Sequence, residues 1–482
     1  MENRSSDGVE ESNRLVKHGE NLAKGVVVYF IGTFVSRLLQ FLILPIITVV
    51  ISADDYGMYD LIISIAGLII PLITLQTFDA ALRYMYDADD EESEKILSTV
   101  TTVITWGLII TGVAILLIHN QTTLLQEPII IWLYIVTITL YQLLQRVCRA
   151  QKLTTEFAIS GIINTLFLLG TQILLVVIFR LTIQGLLLSN VISCVAACLY
   201  LLYKVEFVRY ISFSAVNKEG IQKVISFSLP LVPNSISLWM VSSVNRLIII
   251  STLGSSANGV FAIANKFPAL LMIATGVFQL AWQESAISIQ NTSEQNEFNN
   301  KTFHLYTMFI FSTCFVLLPI IRILMPVMTG PEFEIGWIYI PALLYGTAFC
   351  ALAMFLGAGY ISTGNTGGAF WTTMVGASIN IVFCLLFVQK WGLQAMSVGT
   401  LLGFIMMFFV RKSQMKGFFP ITMPLSTLAG IFGGMAVTAF LYYSVDIHWQ
   451  FVNAVAAIGV FGVCNRQLVS IGKDWIGTLT IH

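Results

Sequence analysis

The chain has 482 residues, 56% hydrophobic and only 11% charged, with a mean hydropathy of +0.83 and a net charge of −1. Soluble domains carry about a quarter charged residues, and no soluble surface can hold this much apolar side chain. Apolar runs of about 20 residues match a bilayer core, and each must be helical so that its backbone satisfies its own hydrogen bonds. The ten-residue alternation of an outer-membrane barrel is not seen, so the expected class is all-α integral membrane protein.

Residues 1–24 are polar and mixed in charge, and read as a cytoplasmic N-terminal segment, not a signal peptide. Apolar spans are then predicted at 25–51, 56–82, 96–118, 128–145, 154–179, 185–203 and 224–253. Seven more follow at 259–286, 305–321, 336–362, 368–389, 392–410, 422–443 and 449–465, giving about 14 transmembrane helices. With the N-terminus inside, nineteen of the 25 Lys and Arg fall in inner segments and three, Arg180, Arg322 and Lys390, in outer ones. Positive charge accumulates on the cytoplasmic side, so both termini are expected there and the number of spans is even.

An internal repeat sets the domain plan. DDYGMYDL (54–61) follows span 1 and SANGVFAI (256–263) follows span 7, aligning Gly57 with Gly259. Gln184-Gly185-Leu186 and Gln394-Ala395-Met396 echo each other at a similar offset. Six spans separate each pair, so two parallel six-helix lobes (25–203 and 224–411) are expected around a central cavity, joined by a polar cytoplasmic linker (204–223). Two extra C-terminal helices (412–466) and a cytoplasmic tail (467–482) complete the chain. Paired lobes of this kind suit alternating access, in which the halves rock about a midplane site.

Charges inside the spans point to that site, because a cation in hydrocarbon normally faces a polar cavity. Arg37 lies 13 residues after Lys24, roughly 20 Å into the membrane at about 1.5 Å per residue. Arg246 and Lys266 each lie eight residues from the outer turn around Gly254 and Asn258. Gln40 shares a helical face with Arg37, Asn245 adjoins Arg246, and Gln279 lies on a polar stripe of span 8. Asp79 and Glu284 near the inner ends are candidates for gating or coupling; Arg83 is placed to pair with Asp79 at i,i+4. Asp60, one turn in from outside, is expected to be hydrated. Pro230 and Pro233 are candidate hinges, and Trp239 and Trp282 are candidates for stacking on a bound substrate.

The seven cysteines form no CxxC pair and the five histidines are scattered, so neither metal nor cofactor is expected. The longest outer connection, about 14 residues at 322–335, carries no acid–base constellation, which argues for a transporter over an enzyme.

The ordered set SRLLQFLILP (36–45), DYGMYDL (55–61), DAALRYMYD (79–87), SLPLVPNSISLWMVSSVNRLII (228–249), FQLAWQESAISI (278–289) and STGNT (362–366) resembles the polysaccharide and lipid-linked oligosaccharide flippases (O-antigen transporter-like) of the multidrug/oligosaccharidyl-lipid/polysaccharide exporter superfamily. Asn245 stands where that family often has Asp before Arg, and Glu284 where Pro often follows Trp-Gln. The resemblance implies a multi-pass protein of a bacterial or archaeal cell (inner) membrane, working as a monomer. It would flip a polyprenyl-pyrophosphate-linked glycan outward for surface polysaccharide biosynthesis, whether lipopolysaccharide O-antigen or exopolysaccharide. Membrane lipid and other glycan-assembly membrane proteins are the expected partners, and nucleic acid is not. Arg37 and Arg246 would bind the pyrophosphate, since a guanidinium fork grips two phosphate oxygens, with Lys266 adding field. A drug or cation antiporter of the same fold, and less strongly a glycan polymerase or ligase, are the competing readings.

Overall fold

The computed structural model describes residues 36, 38–86, 88–119, 127–288, 295–362, 366–417 and 419–466. Among them there is no strand; all regular structure is helical. Helix α1 (Leu44–Val50) precedes α2 (Ala53–Thr74), α3 (Thr77–Met85), α4 (Asp90–Ile118), α5 (Pro128–Ala150), α6 (Thr154–Gln172, extended by a π-helical stretch Ile173–Ile178) and α7 (Ile183–Lys204). Then come α8 (Lys218–Ser228), α9 (Leu231–Leu253), α10 (Ser255–Ala264), α11 (Lys266–Ser288), α12 (Gln295–Met328) and α13 (Ile340–Ser362). Helices α14 (Thr366–Trp391), α15 (Leu393–Gln414), α16 (Leu425–Ser444) and α17 (Gln450–Cys464) end the described chain. Twelve helices are long and apolar enough to cross a membrane, and 38–50 and 243–253 are shorter apolar helices. This is a multi-pass membrane protein. Each of the fourteen expected spans has a helical counterpart, span 1 in 38–50 and span 8 in α10 with α11.

Three expected spans are interrupted. Span 2 divides between α2 and α3, where Leu75 and Gln76 take left-handed φ values of 49° and 56°. Thr74 donates to Ile70 O and Thr77 to Thr74 O, each at 2.8 Å, so threonine hydroxyls satisfy carbonyls at the break. Span 7, expected from 224, instead begins as α8 at Lys218, with Asn217 capping the Gly220 amide. It stops before Pro230, whose missing N–H cannot continue the ladder, and restarts as α9. Span 8 breaks at Asn265.

The chain forms two compact units, one of residues up to Ile47 and Ile65–Ser235, the other of Thr48–Ser64 and Ile236 onward. In the first, Phe78, Leu97, Leu144, Val147, Ala197 and Leu201 are among the buried side chains of one core. The polar linker is docked on it. Phe207 is buried, the Ser212 amide donates to Ser98 Oγ at 2.8 Å, and Lys223 pairs with Glu92 at 2.8 Å. Tyr210 OH donates to Asp90 Oδ1 at 3.0 Å; burial and then that carboxylate push its phenol above its ordinary pKa.

In the second unit α13 is the most enclosed of the spans, 78% buried. Helices α16 and α17 pack on α12, around an apolar cavity of about 180 Å³ lined by residues including Phe315, Pro319, Leu441, Gln450 and Val460.

Candidate functional site

One set of polar side chains in the second unit is built where α2, α9 and α10 meet. Helix α2 starts at Ala53, whose amide donates to Glu332 Oε2 at 2.7 Å. Asp54 and Asp55 occupy its first turn, where the helix dipole favours carboxylates, and Asp54 accepts from Ser255 Oγ. Gly57 and Gly259 allow α2 and α10 to cross at backbone contact: a Cβ on Gly57 would lie 1.8 Å from Ser255 O. Asn258 Nδ2 donates across this crossing to Gly57 O at 2.8 Å.

One turn further along α2, Asp60 Oδ2 accepts Arg246 Nε from α9 at 2.6 Å and Asn258 Nδ2 at 3.4 Å. The side chains are 20% and 14% exposed, so this is a largely desolvated pair. Tyr56, buried beside it, meets the Phe333 ring edge-on at 5.9 Å. One expectation needs correction here: Asp60 is not merely hydrated, because it and Arg246 neutralise each other, as low dielectric demands of charges held there.

Asn245, next to Arg246, belongs to a separate buried network. Its Nδ2 donates to Thr400 Oγ1 at 2.9 Å and its Oδ1 accepts from Asn380 Nδ2 at 3.0 Å, joining α9 to α14 and α15. Gln279 is buried, with Nε2 donating to Met354 O at 2.7 Å, and Trp282 Nε1 donates to Phe355 O at 3.0 Å. The Trp239 ring nitrogen donates to Ser64 O at 2.6 Å. In this conformation Gln279 and Trp282 therefore bind backbone. Lys266 is exposed at the start of α11, with no ion pair among the described residues.

In the first unit, Asp79 pairs with Arg146 of α5 at 3.2 Å, correcting the expected i,i+4 pair with Arg83, which is exposed. Arg83 lies on an exposed face of α3, whereas α5 packs beside α3 and brings Arg146 to Asp79. Gln40 is exposed, Pro230 lies in the turn between α8 and α9, and Pro233 in the first turn of α9. Arg37 and the side chain of Glu284 lie outside the described residues.

Arg411 directly follows the predicted span 392–410 and counts among the nineteen inner cations, yet it is buried. Its Nε and Nη2 donate to Thr372 and Thr373 hydroxyls at 3.0 and 2.9 Å, and Nη1 to Ala353 O at 2.6 Å. No carboxylate pairs with it among the described residues. An arginine ending an apolar run looks interfacial in sequence; only the tertiary position of α13 and α14 encloses it.

A profile of the family described as polysaccharide biosynthesis protein matches residues 22–287, more than half of the chain. The chain belongs to that family. The chain also shares its fold with solved structures of transporters. It resembles a structure described as the lipid II flippase MurJ in an inward closed conformation, at 16% identity and a TM-score of 0.68, covering 92% of this chain and 100% of that one. It likewise resembles an inward-facing multidrug resistance MATE family transporter of the MOP superfamily, at 12% identity and a TM-score of 0.66, covering 85% and 96%. No curated protein matches its sequence.

Proposed function

We propose that this protein flips a polyprenyl-pyrophosphate-linked oligosaccharide from the cytoplasmic to the outer leaflet of a bacterial or archaeal cell membrane. The glycan would feed a surface polysaccharide, with both termini of the protein in the cytoplasm and the two repeated lobes, 25–203 and 224–411, alternating access. The observation that carries this reading is the family match, in a chain that along nearly its whole length takes the fold of a lipid flippase.

The residues divide the work as follows. Arg37 and Lys266 remain candidates for the pyrophosphate. Arg246, charge-balanced by Asp60 at 2.6 Å, acts as half of a latch on the side that the charge rule puts outside. Opening that side separates the pair, and the pyrophosphate then replaces Asp60 as the anion beside Arg246. Asp79 with Arg146, and Glu284, would serve gating at the other side. Movement of an anionic headgroup toward a positive exterior gains about 2.3 kcal/mol per charge per 100 mV, so membrane potential can drive it without a coupled ion.

The test is reconstitution of the purified protein in vesicles holding a polyprenyl-pyrophosphate saccharide in one leaflet. Protein-dependent exchange, lost in Arg37→Ala with Arg246→Ala, is the expected result. Full exchange in the double variant removes the cations from the mechanism. Transport of a cationic drug with no exchange of the lipid establishes the antiporter reading instead.

A further inference from the structure

Three consecutive carbonyls of α13 are each claimed by a side chain from another helix. Ala353 O accepts Arg411 Nη1 from α15 at 2.6 Å; Met354 O accepts Gln279 Nε2 and Phe355 O accepts Trp282 Nε1, both from α11, at 2.7 and 3.0 Å. In a helix these same oxygens belong to the amides four residues on, which here are Gly357, Ala358 and Gly359. The coincidence has a steric cause. The residue at i+4 screens a helix carbonyl from its surroundings, and glycine and alanine screen it least. A Cβ on Gly357 would already stand 3.3 Å from Arg411 Nη1.

The energetic consequence concerns bending. Opening a helical hydrogen bond inside a membrane is costly chiefly because it strands a carbonyl and an amide away from water. At 353–355 the carbonyl keeps a substitute partner when its amide leaves, and glycine at two of the three amide positions lowers the helical preference further. Neither Pro nor a break marks this place; α13 is helical from Ile340 to Ser362.

We propose that residues 353–359 of α13 are a built-in bending point of the second unit, made compliant by the donors of Arg411, Gln279 and Trp282. Arg411 also holds Thr372 and Thr373 of α14, so its guanidinium ties the bending point to a third helix. Because two of the three donors lie on α11, motion of that helix is transmitted directly to the bending point.

Amide exchange of the full chain in lipid nanodiscs tests this, and its readout does not depend on what the protein transports. The amides of 357–359 should exchange about tenfold faster than those of 348–352, the factor that one net hydrogen bond represents. Arg411→Met should then slow the Gly357 amide, and Gln279→Leu the Ala358 amide, because each carbonyl returns to its backbone partner alone. A strut predicts the opposite sign, faster exchange once its donor is gone. Uniform exchange along α13, or exchange that is unchanged or faster in both variants, overturns the proposal. Gln279→Leu leaves Arg411 in place, so its result stands even if Arg411→Met fails to fold.

Discussion

Gly57 and Gly259 are packed against each other's helices reciprocally: a Cβ on Gly57 would meet Ser255 O at 1.8 Å, and one on Gly259 would meet Ala53 O at 1.9 Å. Ala53 and Ser255 stand in the same sequence relation as the two glycines, each pair offset by 202 positions. Such an exchange of equivalent contacts is what a two-fold relation between repeats produces. The weak sequence echo around DDYGMYDL and SANGVFAI is thus a self-complementary helix crossing.

That crossing makes a direct prediction. Gly57→Ala and Gly259→Ala force backbone apart, not a flexible side chain, and overpacking of this kind costs about 1–3 kcal/mol. Thermal unfolding in detergent should show a clear drop in Tm for each, whereas Gly170→Ala, with nothing within 4 Å of its added Cβ, should be neutral or slightly stabilising. Equal Tm values for Gly57→Ala and Gly170→Ala contradict the close approach.

The spans were legible because run length and hydropathy are the physics of crossing a bilayer, and the bound of span 13, 422–443, lies close to α16 at Leu425–Ser444. The division at Leu75–Gln76 was not legible: neither Gly nor Pro marks it, and left-handed leucine and glutamine persist only because tertiary contacts hold them. The pairing of Asp60 with Arg246 joins residues 186 apart, beyond any local spacing rule, so the sequence shows two separate charges. The i,i+4 spacing of Asp79 and Arg83 is visible in sequence, whereas Arg146 is brought in by packing of α5.

The Asp79–Arg146 pair supports a second, smaller prediction. Its side chains are 33% and 36% exposed, so screening limits its worth to less than about 1 kcal/mol. Asp79→Asn should lower Tm slightly, and the effect should fade as salt is raised past physiological strength. Arg83→Ala should leave Tm unchanged; a larger loss there than in Arg146→Ala would reinstate the local pair.

The proline joint between α8 and α9 can be examined separately from stability. Pro230→Ala with Pro233→Ala restores two amides to the helical ladder and favours one continuous helix. If the joint bends during transport, the variant keeps its Tm or gains in it while lipid exchange in vesicles slows several-fold. An exchange rate equal to wild type makes the prolines static punctuation.

The Asp60–Arg246 latch admits the sharpest measurement, because charge pairs reveal themselves through non-additivity. Either single change, Asp60→Asn or Arg246→Gln, leaves its partner charged and largely desolvated, and breaking a buried pair in this way costs about 3–5 kcal/mol. The double variant removes both charges and should recover much of that loss, giving an interaction energy of about 1–3 kcal/mol in a Tm-based cycle. Transport should follow a different pattern. The double variant lacks both the ion pair and the guanidinium proposed to receive the pyrophosphate, so on that proposal its lipid exchange stays low although its stability returns. Additive stability effects would mean that the 2.6 Å contact carries no coupling. Restored transport in the stable double variant would show that the pair is structural, and would leave the headgroup to Arg37 and Lys266.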